Sequence, residues 1–135
     1  MALSLMRVKT MSAPIAKKLR EHGIENSDQL LNASRTPQQR QELANKVGVH
    51  HQRILELANR ADLARIVGVG KIYSDLMEKA GVDTVKELSN RVPEHLHEAL
   101  RHHNNKRRPK GRAPSIKEVT DWVNQAKALP TMLEY

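Results

Sequence analysis

The chain has 135 residues, enough for one domain or two very small ones. Lysine and arginine outnumber aspartate and glutamate by 23 to 15, so the formal net charge is +8. Such a balance favours an anionic partner, which could be nucleic acid, an anionic membrane surface or an acidic protein. No membrane span is visible, and we expect nucleic acid or an acidic protein and no membrane. Cysteine is absent, which excludes disulfides and thiolate chemistry. We expect a cytoplasmic protein, associated with the nucleoid if it binds DNA.

Aromatic residues are too few for binding of single strands by base stacking. Phenylalanine is absent, and the aromatic side chains are Tyr73, Trp122 and Tyr135. Proteins that bind single strands without sequence preference usually stack successive bases on such side chains. A duplex is therefore the favoured form of nucleic acid, with an acidic protein as the other possible partner.

Helix signals follow one another along the whole chain. Thr36-Pro37 with Gln39 predicts a helix start, and Gly48 its end. Apolar spacing predicts helices over His51 to Ile66 and Lys71 to Lys79. Further capping boxes are predicted at Thr84 with Glu87 and at Ser115 with Glu118, and Pro130 ends the last helix. Two-residue alternation typical of strands is absent, so the predicted fold class is all-α.

The sequence also repeats itself. The segment from Arg7-Val8 to Leu30 matches the segment from Arg65-Ile66 to Leu88, with Gly23-Ile24 on Gly81-Val82. We therefore predict two helical repeats, 1–64 and 65–129, followed by a tail, 130–135. Because each repeat is small, we expect the two to share one core.

A glycine-rich turn before the helix at Lys71 is the strongest functional signal. Gly68 and Gly70 lack a Cβ and let the backbone approach a partner closely. The amides of Val69, Gly70 and Lys71 would then lie at a helix N-terminus, where the dipole and the lysine favour a phosphate. The alternative is a tight turn that only packs two helices together or contacts a protein.

A basic loop over residues 104–114 is the second functional signal. It carries Lys106, Arg107, Arg108, Lys110 and Arg112, together with two prolines and a glycine. The segment lacks helix and strand signals, so we expect a solvated loop that acts either as a linker or as an arm that contacts a polyanion. Lys71 and Lys79 are expected to add long-range charge.

The glycine turn with the residues around it resembles a helix-hairpin-helix motif. Ile66-Val67-Gly68-Val69-Gly70, followed by Ala80-Gly81-Val82-Asp83-Thr84-Val85, carries the resemblance. The whole chain is similar to an uncharacterised bacterial family of small tandem helix-hairpin-helix-like proteins. The resemblance implies that the hairpin amides hold a DNA phosphate without reading sequence. The first hairpin, Thr10-Met11-Ser12, departs from the pattern, since threonine disfavours positive φ; it is treated as degenerate.

Neither a metal site nor a catalytic site is predicted. The histidines lack the usual spacing and partners of a zinc site, and the carboxylates are scattered over several helix faces. We therefore expect no cofactor and no enzyme activity. The predicted function is sequence-independent DNA binding, and the alternative is an adaptor or scaffold domain for protein partners.

Overall fold

The computed structural model describes residues 2–135, and in this range the chain is all-α. Within residues 2–135, a short 3-10 helix at Leu5–Arg7 precedes eight α-helices. These are α1 (Ala13–Glu21), α2 (Ser27–Asn32), α3 (Pro37–Val47), α4 (His51–Leu63), α5 (Lys71–Lys79), α6 (Val85–Ser89), α7 (Pro93–Asn105) and α8 (Ile116–Ala128). None of the helices in this range is long and apolar enough to cross a membrane.

Side-chain caps start the helices where the sequence predicts them. Thr36 with Gln39, and Ser115 with Glu118, form complete capping boxes. Thr84 accepts a hydrogen bond from the amide of Glu87 at 3.1 Å and caps α6. Gly48 ends α3 at a φ of 74°. Helix α4 stops at Leu63, earlier than the predicted Ile66, because the chain turns there towards α5.

The buried hydrophobic side chains form two clusters, so the prediction of one shared core is wrong. The first cluster is built mainly from residues of the 3-10 helix and α1–α4, with Leu133 near the C-terminus, and the second from residues of α5–α8, Leu63 at the end of α4 and the segment before α5. The physical reason is that each half has its own closing helix. Ile54 and Leu57 of α4 close the first cluster, and Trp122 and Val123 of α8 close the second.

The two halves show matching features. Helices α1 and α5 have the same length, and the offset along the sequence between their first residues equals that between their last residues. Helix α4 packs against α2 and α3, and α8 packs against α6 and α7. Gly23 and Gly81 both take positive φ, at 80° and 88°. These features agree with the predicted repeat, which stays an interpretation of the sequence.

Residues 130–135 run back from the second half to the first, and we call them the C-terminal strap. Leu133 is buried in the first cluster. Arg40 donates to the carbonyl of Glu134 at 2.6 Å, and the amide of Glu134 donates to the carbonyl of Arg35 at 2.8 Å. Arg65 holds the start of the strap through the carbonyl of Pro130, at 2.7 Å. The strap therefore fastens the two halves together.

Candidate nucleic-acid interface

The glycine turn, residues 66–70, joins α4 to α5 and is fixed against α8. Gln125 donates to the carbonyl of Val67 at 3.0 Å and accepts from its amide at 2.8 Å. Gly68 has a φ of 101°, and a Cβ added there would lie 2.9 Å from Nε1 of Trp122. Both the backbone conformation and the neighbouring indole therefore require glycine at position 68.

The prediction that the amide of Val69 faces a phosphate is wrong. Val69 is buried, and its amide donates to the carbonyl of Ile66 at 3.3 Å. This bond closes the turn and uses the donor. The open amides begin later, because Gly70 is the N-cap of α5 and has no side chain to cap the helix. Lys71 and the residues after it therefore offer the free amides.

A groove of about 370 Å³ lies beside this helix start. It brings the glycine turn together with the basic loop, although the two are far apart in sequence. The lining residues are Gly68, Gly70, Lys71, Ile72, Tyr73, Arg107, Gly111 and Arg112. Three of these side chains are cationic, and no carboxylate lines the groove within residues 2–135.

After the end of α7, the basic loop has no regular secondary structure and its cations are mostly exposed, as predicted, but hydrogen bonds that the sequence did not predict fix its course. Asn104, only 1% exposed, donates to the carbonyl of Gly111 at 2.8 Å and accepts from Arg107 at 3.2 Å. The hydroxyl of Tyr73 donates to the carbonyl of Arg112 at 3.2 Å. The loop is therefore held against both α7 and α5. A buried asparagine in the sequence NNKRRPKG gave no signal of this role.

Arg112 is fixed at the rim of the groove by an ion pair. Its guanidinium donates to both carboxylate oxygens of Glu118, at 2.7 and 3.1 Å. These hydrogen bonds, with a further one from the amide of Ser115, lower the pKa of Glu118 from 4.5 to about 2. Because Glu118 offsets its charge, Arg112 serves mainly to position the loop.

The remaining predicted cations lie outside the groove. Lys106, Arg108 and Lys110 are exposed on the loop and form no ion pair within the described residues. Lys79 lies at the other end of α5 from Lys71 and pairs with Asp75 at 3.6 Å. Burial lowers the pKa of His103, and the positive charges of neighbouring His102, Lys106 and Lys79 lower it further. Lys79 therefore belongs to a separate surface near the end of α7.

Residues 8–12 form the first turn. Its backbone resembles that of the glycine turn more than the sequence predicts. Thr10 takes a φ of 71°, the left-handed conformation that Gly68 has in the glycine turn. Arg53 of α4 donates to both the carbonyl and the hydroxyl of Thr10, which holds this conformation in place. Ser12 caps α1 by accepting from the amide of Ile15 at 3.4 Å.

A comparison with protein families identifies the family of the chain. Residues 9–129 match a family described as Domain of unknown function (DUF4332). The chain belongs to this family. The matched region contains the glycine turn, the groove, the basic loop and residues 9–12 of the first turn, whereas the C-terminal strap lies outside it. No curated protein and no solved structure matches the chain.

Three carboxylates of the DUF4332 domain, those of Asp62, Asp75 and Glu78, form ion pairs or hydrogen bonds within the fold. Asp62 accepts from the amide of Val85 at 2.8 Å and pairs with Arg65 at 2.9 Å. Asp75 and Glu78 both pair with the buried guanidinium of Arg60. Within residues 2–135 no group of three or more histidine or acidic side chains is arranged to hold a metal ion.

Proposed function

We propose that this DUF4332 domain is a non-catalytic, sequence-independent DNA-binding module of the cytoplasm, with a helix-hairpin-helix-like glycine turn. The observation that carries the proposal is the shared groove. Lys71 from α5 and Arg107 from the basic loop meet the glycine turn there, with Arg112 paired to Glu118 at the rim, and among residues 2–135 no carboxylate lines the groove. Convergent cations at an uncapped helix start provide charge and hydrogen-bond donors for a phosphate.

Gly70 supports the same function by its surroundings. Its φ of −93° is open to any residue, and a Cβ added there would meet no atom within 4 Å. Unlike Gly68, it is therefore not required by the backbone or by a neighbour. A missing side chain at this point leaves the amides of α5 open to close approach from outside.

The cations divide into two roles under this proposal. Lys71 lies at the helix start and contacts the phosphate that the amides hold. Lys106, Arg108 and Lys110 are exposed beyond the groove and follow the backbone of the duplex. Phosphate contacts of this kind fix position but carry no sequence information, so affinity depends on salt and little on sequence.

A salt titration of duplex binding tests the proposal. Fluorescence anisotropy of a short labelled duplex should show log affinity falling linearly with log salt, with a slope of about 0.9 per phosphate contacted. Replacing Lys106, Arg108 and Lys110 by serine should lower the slope by up to about 3 units for any duplex sequence. A folded wild-type chain that shows no duplex binding at low salt would refute the proposed function.

A second candidate function, a protein adaptor, is supported by apolar residues at the same site. Ile72 lines the groove and is 52% exposed, and Val67 in the glycine turn is 57% exposed. Exposed apolar side chains rimmed by cations suit an acidic protein segment that carries apolar residues. Ile72→Ser separates the two functions, since it should weaken such a protein complex strongly and leave the duplex salt slope unchanged.

A further inference from the structure

A second group of cations lies on the other side of the α5 start. A narrow cleft there is lined by Arg7 and Lys9 of the first half and by Val69, Gly70 and Lys71 of the second half. Gly70 and Lys71 line both this cleft and the groove. Cations of the first half therefore lie next to the start of α5 from one side, as Arg107 and Arg112 do from the other.

The cleft is held in place by the packing between the two halves. Val8, which belongs to the first cluster, and Val69, which belongs to the second, are both 2% exposed and both line the cleft. Arg7 and Lys9 flank Val8 in sequence, so their backbone position follows from its burial. Their placement beside Gly70 is thus a property of the folded chain.

Arg7 and Lys9 are available for an anion at the surface beside the cleft, whose own volume of about 10 Å³ has room for about one water molecule. Arg7 is exposed and Lys9 is half-buried, and neither forms an ion pair in the part of the chain that the structure describes. No carboxylate lines the cleft in that range. The third cation there, Arg60, is 5% exposed and is used by Ser74, Asp75 and Glu78.

We infer that Arg7 and Lys9 extend the nucleic-acid surface across the junction of the two halves and hold a further backbone phosphate of the same duplex. This inference rests on the proposed function. Phosphates succeed one another along each strand at about 3.4 Å of helix axis, so cations on both sides of Gly70 meet more than one phosphate. The binding surface is then composite, with neither half providing all of it.

A pair of charge-matched double variants tests the inference. Arg7→Gln with Lys9→Gln removes two charges beside Gly70. Lys17→Gln with Lys18→Gln removes two charges from the exposed face of α1, in the same half. The first variant should weaken duplex binding about fivefold or more at physiological salt and lower the salt slope by about one unit, because one phosphate contact is lost. The second should change affinity by less than about twofold.

The outcomes separate this inference from the proposed function. Equal losses in the two double variants would show a general charge effect and overturn the inference. Unchanged binding in the Arg7/Lys9 variant, with weakened binding in the Lys106/Arg108/Lys110 variant, would overturn the inference and leave the proposed function standing. Absence of duplex binding by the wild-type chain would overturn both. Thermal melts of all variants confirm that each is folded.

Discussion

The first turn and the glycine turn each contain a residue with positive φ but differ in their surroundings. Thr10 and Gly68 both have positive φ, at 71° and 101°. The first turn is capped by Ser12 and held by Arg53, and it borders a groove of about 350 Å³ whose lining includes Glu56, Glu78 and Asp83. The glycine turn is uncapped and borders Lys71, Arg107 and Arg112.

This comparison shows that turn geometry alone does not define an anion site. At the first turn, a serine oxygen fills the cap position and the groove beside Thr10 contains carboxylates that oppose an anion, whereas Lys9 lines the cleft beside Gly70. At the glycine turn, both obstacles are missing and cations replace them. Which turn binds a phosphate is therefore decided by the cap and by the charge of the neighbouring groove.

The largest expected effect tests how strongly the backbone of each turn depends on its residue with positive φ. Gly68→Val should destabilise the fold by about 3 kcal/mol, because a β-branched residue at this positive φ is strained and its Cβ meets Trp122. Urea denaturation followed by circular dichroism measures the loss. Thr10→Gly is the matched change in the first turn and should alter stability by less than about 1 kcal/mol. Similar losses in both variants would contradict the argument.

Gly70→Val tests the open helix start. It should weaken duplex binding about tenfold, the equivalent of one hydrogen bond to a charged group, because the branched side chain covers the amides of α5. The melting temperature should change little, since a Cβ at this position meets open space. Anisotropy and thermal melts measure the two quantities. Full affinity in the folded variant would exclude the glycine turn as a phosphate site.

Ser12→Val is the counterpart in the first turn. We expect a loss of about 1 kcal/mol of stability, because the cap of α1 is removed. Duplex affinity should stay within about twofold of wild type, since an acidic groove borders this turn. A binding defect as large as that of Gly70→Val would show that the start of α1 also holds a phosphate of the duplex.

Within the basic loop, cations that hold structure should differ from cations that do not. Replacing Lys106, Arg108 and Lys110 by serine should leave the melting temperature unchanged. Arg112→Ser should lower it, because the ion pair with Glu118 is lost. Differential scanning calorimetry of the two variants decides the assignment. Equal melting temperatures would show that the ion pair does not stabilise the loop.

The smallest expected effect concerns the stability of the fold at acidic pH. Since the folded pKa of Glu118 is lowered to about 2, its contribution to stability is present above pH 4.5 and is lost as the pH falls towards 2. Glu118→Gln should therefore reduce the acid sensitivity of unfolding between these values. The capping box at Gln39 carries no such charge, so Gln39→Ala should change stability without changing its pH dependence. Parallel pH profiles for wild type and Glu118→Gln would contradict the prediction.

The sequence predicted the helices well because their signals are local. Capping residues, the spacing of apolar residues and the bounds of α5 lie within a few positions of one another. The hydrogen bond that uses the Val69 amide, the loop held by Asn104 and the left-handed Thr10 held by Arg53 depend on tertiary contacts. The same is true of Arg7 and Lys9, whose position beside Gly70 follows from the packing of Val8. No sequence motif predicts this position.

The C-terminal strap also has a consequence for the order of folding during synthesis. Leu133 completes the first cluster, and Glu134 supplies partners for Arg35 and Arg40, which lie almost a hundred residues earlier. A ribosome releases residues 130–135 after the whole second half has emerged. Until the second half has been made, the first half therefore lacks Leu133 in its hydrophobic cluster and lacks the hydrogen bonds that join Arg35 and Arg40 to Glu134. Chaperone contact during translation should concentrate on the half that is synthesised first.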